Sequence, residues 1–195
     1  MLRSIVAGAA IAGSAAVAAA TPLNLTQGRP DAFSAFISIT YDASSHLLSA
    51  DGFTQNFQLD YVSPSVSLNN RVWHLTAEIL NDGSFTGAGS LSIFGDYGGT
   101  NVLLDSAVSI DQFGSSPGKL EFIFSGVGSG GSINTGHVPT GVILSDDTLS
   151  FAGFALSFDN LATADGRSDS FLIPAPGAAA LGACCLALAA GRRRR

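Results

Sequence analysis

The chain has 195 residues, among them 23 glycines, 13 phenylalanines and two cysteines, and a formal net charge of −6. Five of the nine basic residues are Arg3 and Arg192 to Arg195, so residues 21–172 hold four basic side chains against all 15 acids, a net charge of −11. That balance excludes nucleic-acid binding through phosphate contacts, and the roughly 150 residues left between the two ends are the size of one domain.

Residues 1–20 combine Arg3, an apolar run over residues 5–17, and small residues at Ala18 and Ala20. This is the pattern of a secretory signal peptide, with cleavage expected after Ala20 so that Thr21 opens the mature chain; cleavage after Ala18 is the near alternative. The apolar run is short for a permanent bilayer-spanning helix. Export would permit a disulfide, but both cysteines, Cys184 and Cys185, lie in a C-terminal apolar run, and the central domain has none.

The central residues alternate rather than follow a helical period. Phe33, Ala35, Ile37, Ile39 and Tyr41 share one parity, and Phe36 breaks it; Phe53, Gln55, Phe57, Leu59 and Tyr61 repeat the pattern after the Asp51-Gly52 turn signal. A loop carrying His46 separates these strands, unless Leu47 and Leu48 extend one of them into a hairpin. Residues 71–80 make the clearest strand, with Trp73, Leu75, Ala77 and Ile79 on the core side and His74, Thr76 and Glu78 opposite. Asn81-Asp82-Gly83 then turns the chain, with glycine where a positive φ is needed, into a return strand over 84–94.

Further strands are expected over 102–110, 120–124, 141–144 and 149–158, with a turn at 112–118 and a glycine-rich loop over 126–136. Residues 161–172 read as a polar linker. Eight or nine short strands with aromatic side chains predict an all-β, antiparallel β-sandwich or jelly-roll domain over residues 21–160. An N-terminal signal helix and a C-terminal hydrophobic helix flank it in this reading.

The candidates for chemistry are sparse. His46, His74 and His137 are far apart and lack metal-ligand spacing. Glu78 and Glu121 would form a glycosidase pair only if they met across a concave sheet. Asp146-Asp147 and the Asp-Gly turns at Asp51, Asp82 and Asp165 invite calcium, which needs six to eight converging oxygens, though turn chemistry accounts for them as well. Tyr41, Tyr61, Trp73 and Tyr97 are candidates for stacking on sugar rings, although Trp73 shares its parity with core residues. The sequence therefore assigns no catalytic residue, no cofactor-binding residue and no metal ligand; bound calcium is the one cofactor it leaves open.

The C-terminal stretch has three parts: Ile173-Pro174-Ala175-Pro176-Gly177, an apolar segment over 177–191, and the basic tail Arg192, Arg193, Arg194 and Arg195. Fifteen helical residues span about 22 Å, short of the roughly 30 Å hydrocarbon core, and flanking arginines can snorkel to complete the crossing. Four arginines hold the tail on the cytoplasmic side. The two prolines keep the approach extended, as a peptidase needs.

In this order, at the chain end, the three parts over 173–195 resemble the PEP-CTERM sorting signal of exported bacterial proteins, with Ala175 where that motif has glutamate. The resemblance implies processing by signal peptidase and then by an exosortase, a membrane-embedded cysteine peptidase. It also implies a transient membrane anchor through 177–191, and delivery of the domain to the cell surface or to extracellular polysaccharide. The expectation is an exported, non-enzymatic surface or matrix protein. Alternatives are a carbohydrate- or calcium-binding module and a secreted jelly-roll hydrolase.

Overall fold

The structure is a computed structural model that describes residues 20–97, 100–125, 131, 134 and 138–173. Its strands are β1 (Asp31–Asp42), β2 (Leu47–Gln58), β3 (Val66–Ser67), β4 (Asn69–Ile79), β5 (Phe85–Tyr97), β6 (Thr100–Ser116), β7 (Lys119–Ser125), β8 (Thr140–Ser145) and β9 (Leu161–Leu172). One helix, α1 (Leu149–Ser157), lies between β8 and β9. The order is β1-β9-β8-β7-β6-β5-β4-β2-β3, every pairing is antiparallel, and β1 also pairs with β2. That last pairing closes eight strands into a barrel, with β3 as a short flap on β2.

The all-β antiparallel class is as expected, but the sandwich or jelly roll is not. A two-sheet sandwich keeps edge strands, whereas closure of one sheet removes them. The closing strand is β9, which occupies the predicted linker. It pairs with β1 from Asp31↔Phe171 to Tyr41↔Leu161 and with β8 from Thr140↔Leu172 to Ser145↔Arg167. The domain therefore runs through residue 173, not 160. The strand was hidden because its inward positions are Gly166, Ser168 and Ser170, small or polar residues that carry no apolar alternation.

The predicted strand over 149–158 is α1 instead. Phe151, Phe154 and Ala155 are buried at helical spacing, with Phe158 one turn on. The Thr148 side chain accepts the Phe151 N–H, and Phe158 closes the helix in the left-handed region at φ 51°. The helix lies across one mouth of the barrel. Phe154 packs on Tyr41 at 5.1 Å, and Phe158 meets Phe113 edge-on at 6.0 Å between ring centroids. An eight-stranded barrel is just wide enough for side chains to fill it. Here Trp73, Leu75, Ile79, Leu120, Phe122 and Phe124 do so, all fully buried.

The hairpin at residues 81–83 forms as read, with Gly83 at φ 80°. Leu47 and Leu48 belong to β2, which makes the first two long strands a hairpin as well. The turn expected over 112–118 shrinks to two residues, because β6 runs on to Ser116 and pairs with Lys119. Among the described residues no helix is long and apolar enough to cross a membrane. The signal residues Ala18 and 1–17, the motif residues Pro174, Ala175, Pro176 and Gly177, the segment 177–191, both cysteines and the arginine tail lie outside the described residues.

Candidate functional site on the outer wall

Three polar constructions stand out from the apolar barrel. The first closes the mouth opposite α1. Asp105 points inward from β6 and is buried. It accepts hydrogen bonds from Thr140 Oγ1 at 2.5 Å and from Asn134 Nδ2 at 3.1 Å. Asn134, from the predicted glycine-rich loop, also donates to the Val138 carbonyl and accepts the Val138 N–H, so its amide plugs the barrel. Burial pushes the Asp105 carboxyl up, against the bonds from Thr140, Asn134 and the Ser106 N–H. Nearby, Trp73 Nε1 donates to Ser170 Oγ at 3.0 Å, which gives the buried indole its partner from the hidden strand β9.

The second construction is a strap. Residues 20–30 cross the outer wall from β6 and β7 to β9 and β1. Glu121, only 1% exposed, anchors it. Its Oε2 accepts the N–H groups of Leu23 (2.8 Å) and Asn24 (3.0 Å), and its Oε1 accepts that of Leu25 (2.9 Å). Asn24 adopts φ 56°, which lets three successive N–H groups converge on one anion. Lys119 Nζ adds a contact of 2.7 Å. Burial raises the Glu121 carboxyl, but the bonds from Lys119, Leu25 and Asn24 outweigh it and hold the group below the usual carboxylate range. Gly114 lies beneath the strap, where a Cβ would stand 2.6 Å from the Thr21 carbonyl oxygen.

Glu121 is thus structural, and it does not meet Glu78. Both point outward, but β7 and β4 are three strand spacings apart, about 14 Å. Glu78 accepts instead from Thr86 Oγ1. The conditional glycosidase pairing of Glu78 with Glu121 therefore does not form.

The third construction is a groove of about 680 Å³ on the outer wall, lined by Phe33, Ala35, Phe36, Asp146, Asp147, Thr148, Asp165 and Arg167. One side is β1. The other is the turn between β8 and α1, beside the outward residues of β9. The aromatic on its rim is Phe36, 70% exposed and held at φ 54°. A left-handed phenylalanine costs on the order of 1–3 kcal/mol, and a phenylalanine left in water forgoes roughly another 1.5–3 kcal/mol of burial.

The neighbouring strands are cut to fit this bulge. A Cβ on Gly52 of β2 would come within 2.6 Å of Ile37 Cγ1, and one on Gly166 of β9 within 3.0 Å of the Ile37 carbonyl oxygen. The register of β1 shifts here against both partners. Residues 33 and 35 therefore face outward while Ile37, Ile39 and Tyr41 face inward, so the single face predicted for them is split at Phe36.

On the polar side, Arg167 Nη2 contacts Asp147 Oδ2 at 2.9 Å, with both side chains exposed. Asp146 accepts the Thr148 N–H at 2.7 Å and the Thr163 hydroxyl at 2.7 Å. Burial works against the Asp146 carboxylate, but these bonds, with Arg167 nearby, bring it below its ordinary value. The two adjacent aspartates thus serve different partners, and among the described residues no three His, Cys, Asp or Glu side chains converge as a metal site. Asp82 caps its own turn through Ser84, and Asp51 pairs with His74 on the exposed face.

The other sequence candidates scatter. Tyr41 and Trp73 are inside the barrel, the former donating to the Ile79 carbonyl, so neither can stack on a sugar from outside. Tyr61 is exposed beside Arg29, whose guanidinium lies 5.4 Å from its ring centroid. His46 sits at φ 59° in the turn before β2, near Asn81. The Tyr97 side chain and all of His137 lie outside the described residues. Sequence reasoning missed Asn134, Arg167 and the role of Phe36; for the last, the break in alternation was the available signal. No protein-family model, curated protein or solved structure matches the chain.

Proposed function

We propose that this is an exported, non-catalytic cell-surface or extracellular-matrix protein, sorted by the PEP-CTERM-like signal at 173–195 and cut by an exosortase-type peptidase. One observation supports this above the rest: every described strand and the helix lie between the two expected cleavage regions, and on the N-terminal side a cut after Ala20 costs the described fold only Ala20, whose carbonyl accepts from the Ser115 N–H at 3.4 Å and the Ser115 hydroxyl at 3.3 Å. The strap takes its Glu121 bonds from Leu23 onward, so a chain starting at Thr21 keeps that anchor. At the other end, Ile173 donates its N–H to the Pro139 carbonyl at 2.8 Å, and the Pro174-Ala175-Pro176 motif follows directly. Both addresses can leave without removing any described strand or helix. The non-catalytic part of the reading rests on Glu121, whose two oxygens are committed to the strap and Lys119.

Intact-mass analysis of the protein recovered from an exosortase-bearing host tests the sorting claim. The expected chain begins at Thr21 and lacks Arg192 to Arg195. A mature chain that keeps all four arginines overturns it. Release of new reducing ends from polysaccharide substrates would overturn the non-catalytic assignment.

A further inference from the structure

We propose that the groove at the β1 bulge binds a neutral saccharide, with the exposed face of Phe36 as its stacking platform. The site goes beyond the export reading and does not depend on it. The argument starts from Phe36. Its backbone is left-handed, its ring is exposed, and glycines on both neighbouring strands make room for the bulge that turns it outward. The barrel interior gains nothing from that arrangement, since Ile37 fills the inward position next to it.

What the ring faces is a groove, not open wall. Its volume falls within the roughly 300–1,000 Å³ typical of small-molecule sites. Phe33 extends the apolar floor, and Asp147, Asp165 and Arg167 line the polar side, all three exposed. A pyranose has the matching chemistry: an apolar C–H face to lie on an aromatic ring, and a rim of hydroxyls that donate to carboxylates and accept from a guanidinium. Arg167 carries five N–H donors, and Asp147 holds it in place at 2.9 Å.

Charge narrows the class. The groove sets three aspartates against one arginine on a domain whose net charge is −11. Uronate or sulfated polymers are therefore repelled, and a neutral sugar is the class that uses both the acids and Arg167 as hydrogen-bonding partners.

The test is calorimetric titration of the full-length chain, held in a detergent without a sugar headgroup. The probes are neutral hexasaccharides of glucose and of mannose, a glucosamine hexamer and a galacturonate hexamer. At least one neutral hexasaccharide is expected to bind, and Phe36→Ala to weaken that binding by about tenfold or more. Phe36→Gly, which also removes the backbone strain, is expected to lose binding equally while its thermal midpoint is unchanged or higher. Arg167→Ala is expected to weaken binding several-fold. The proposal is overturned if neither neutral hexasaccharide binds, if only the cationic or the anionic oligomer does, or if both Phe36 variants bind like the parent.

Discussion

Replacing Glu121 with glutamine is expected to release the strap without touching the barrel core. The side chain holds four donors, with Leu23 and Asn24 on Oε2 and Leu25 and Lys119 on Oε1. Glutamine keeps one acceptor oxygen and turns the other into an amino group. Whichever way that amide points, two of the four donors face another donor, and the charge that assisted all four bonds is gone. At roughly 1–3 kcal/mol for each group left without its partner, and with solvent reaching part of the strap, the loss should be about 2–4 kcal/mol. For a domain of this size that is a fall in thermal midpoint of roughly 5–15 °C. Calorimetry reads the midpoint, and amide exchange reads the strap itself: Leu23, Asn24 and Leu25 should lose protection while Leu75 and Phe122, deep in the barrel, keep theirs. A midpoint within about 2 °C of the parent, with protection unchanged at residues 23–25, would refute the assignment of Glu121 as the strap's anchor.

Gly114→Ala should reproduce the same exchange pattern by a different route, since its Cβ would press on the Thr21 carbonyl oxygen and the Leu23 nitrogen. Asn134→Ala leaves Asp105 and Val138 short of partners inside the barrel mouth and is expected to cost about 2–4 kcal/mol, measured by chemical denaturation. Phe154→Ala, which empties the contact between α1 and Tyr41, should cost about 3–5 kcal/mol by the same assay. Stability should also pass through a maximum near pH 4–5. Burial, then the charge of Asp169, pushes Asp31 up to about 6, against Arg29 and Gln27. Between about pH 4 and 6 the folded chain therefore binds more protons than the unfolded one, and stability falls as pH rises through that window. Glu121 and Asp146 lie below their ordinary values, so their contribution is lost as pH drops below about 4. Asp31→Asn should flatten the limb between pH 4 and 6; a limb of unchanged slope would show that Asp31 is not its source.

Much of the barrel wall was legible because its signals are local. The strand at β4 shows unbroken alternation, and Trp73, Leu75, Ala77 and Ile79 all point inward as their spacing implies. The Asn81-Asp82-Gly83 turn follows from the need for positive φ at Gly83. Two elements misled the reading for related reasons. In α1 the phenylalanines satisfy an i, i+3, i+7 helical spacing, yet within a chain of strands the same apolar run passes for one more strand. In β9 the middle of the buried face is Gly166, Ser168 and Ser170: Ser170 takes the Trp73 indole N–H, Ser168 contacts Ser170, and Gly166 leaves room for Ile37 and Ile39. Polar residues facing inward look, in one dimension, like a linker.

The sequence by itself determined the antiparallel β class, the acidity of a cysteine-free domain and the three-part ends that motivate the sorting proposal, since these depend on composition and short-range pattern. Only the tertiary structure decided that the sheet closes, because β1 must pair both with its hairpin partner β2 and with residues more than a hundred positions away in β9. It also decided that Glu121 is a clasp and not half of a catalytic pair, and that Phe36 overlooks a groove shared with Asp147 and Arg167. Those partners lie roughly a hundred residues off along the chain, where no periodicity connects them. Strand order alone brings them together.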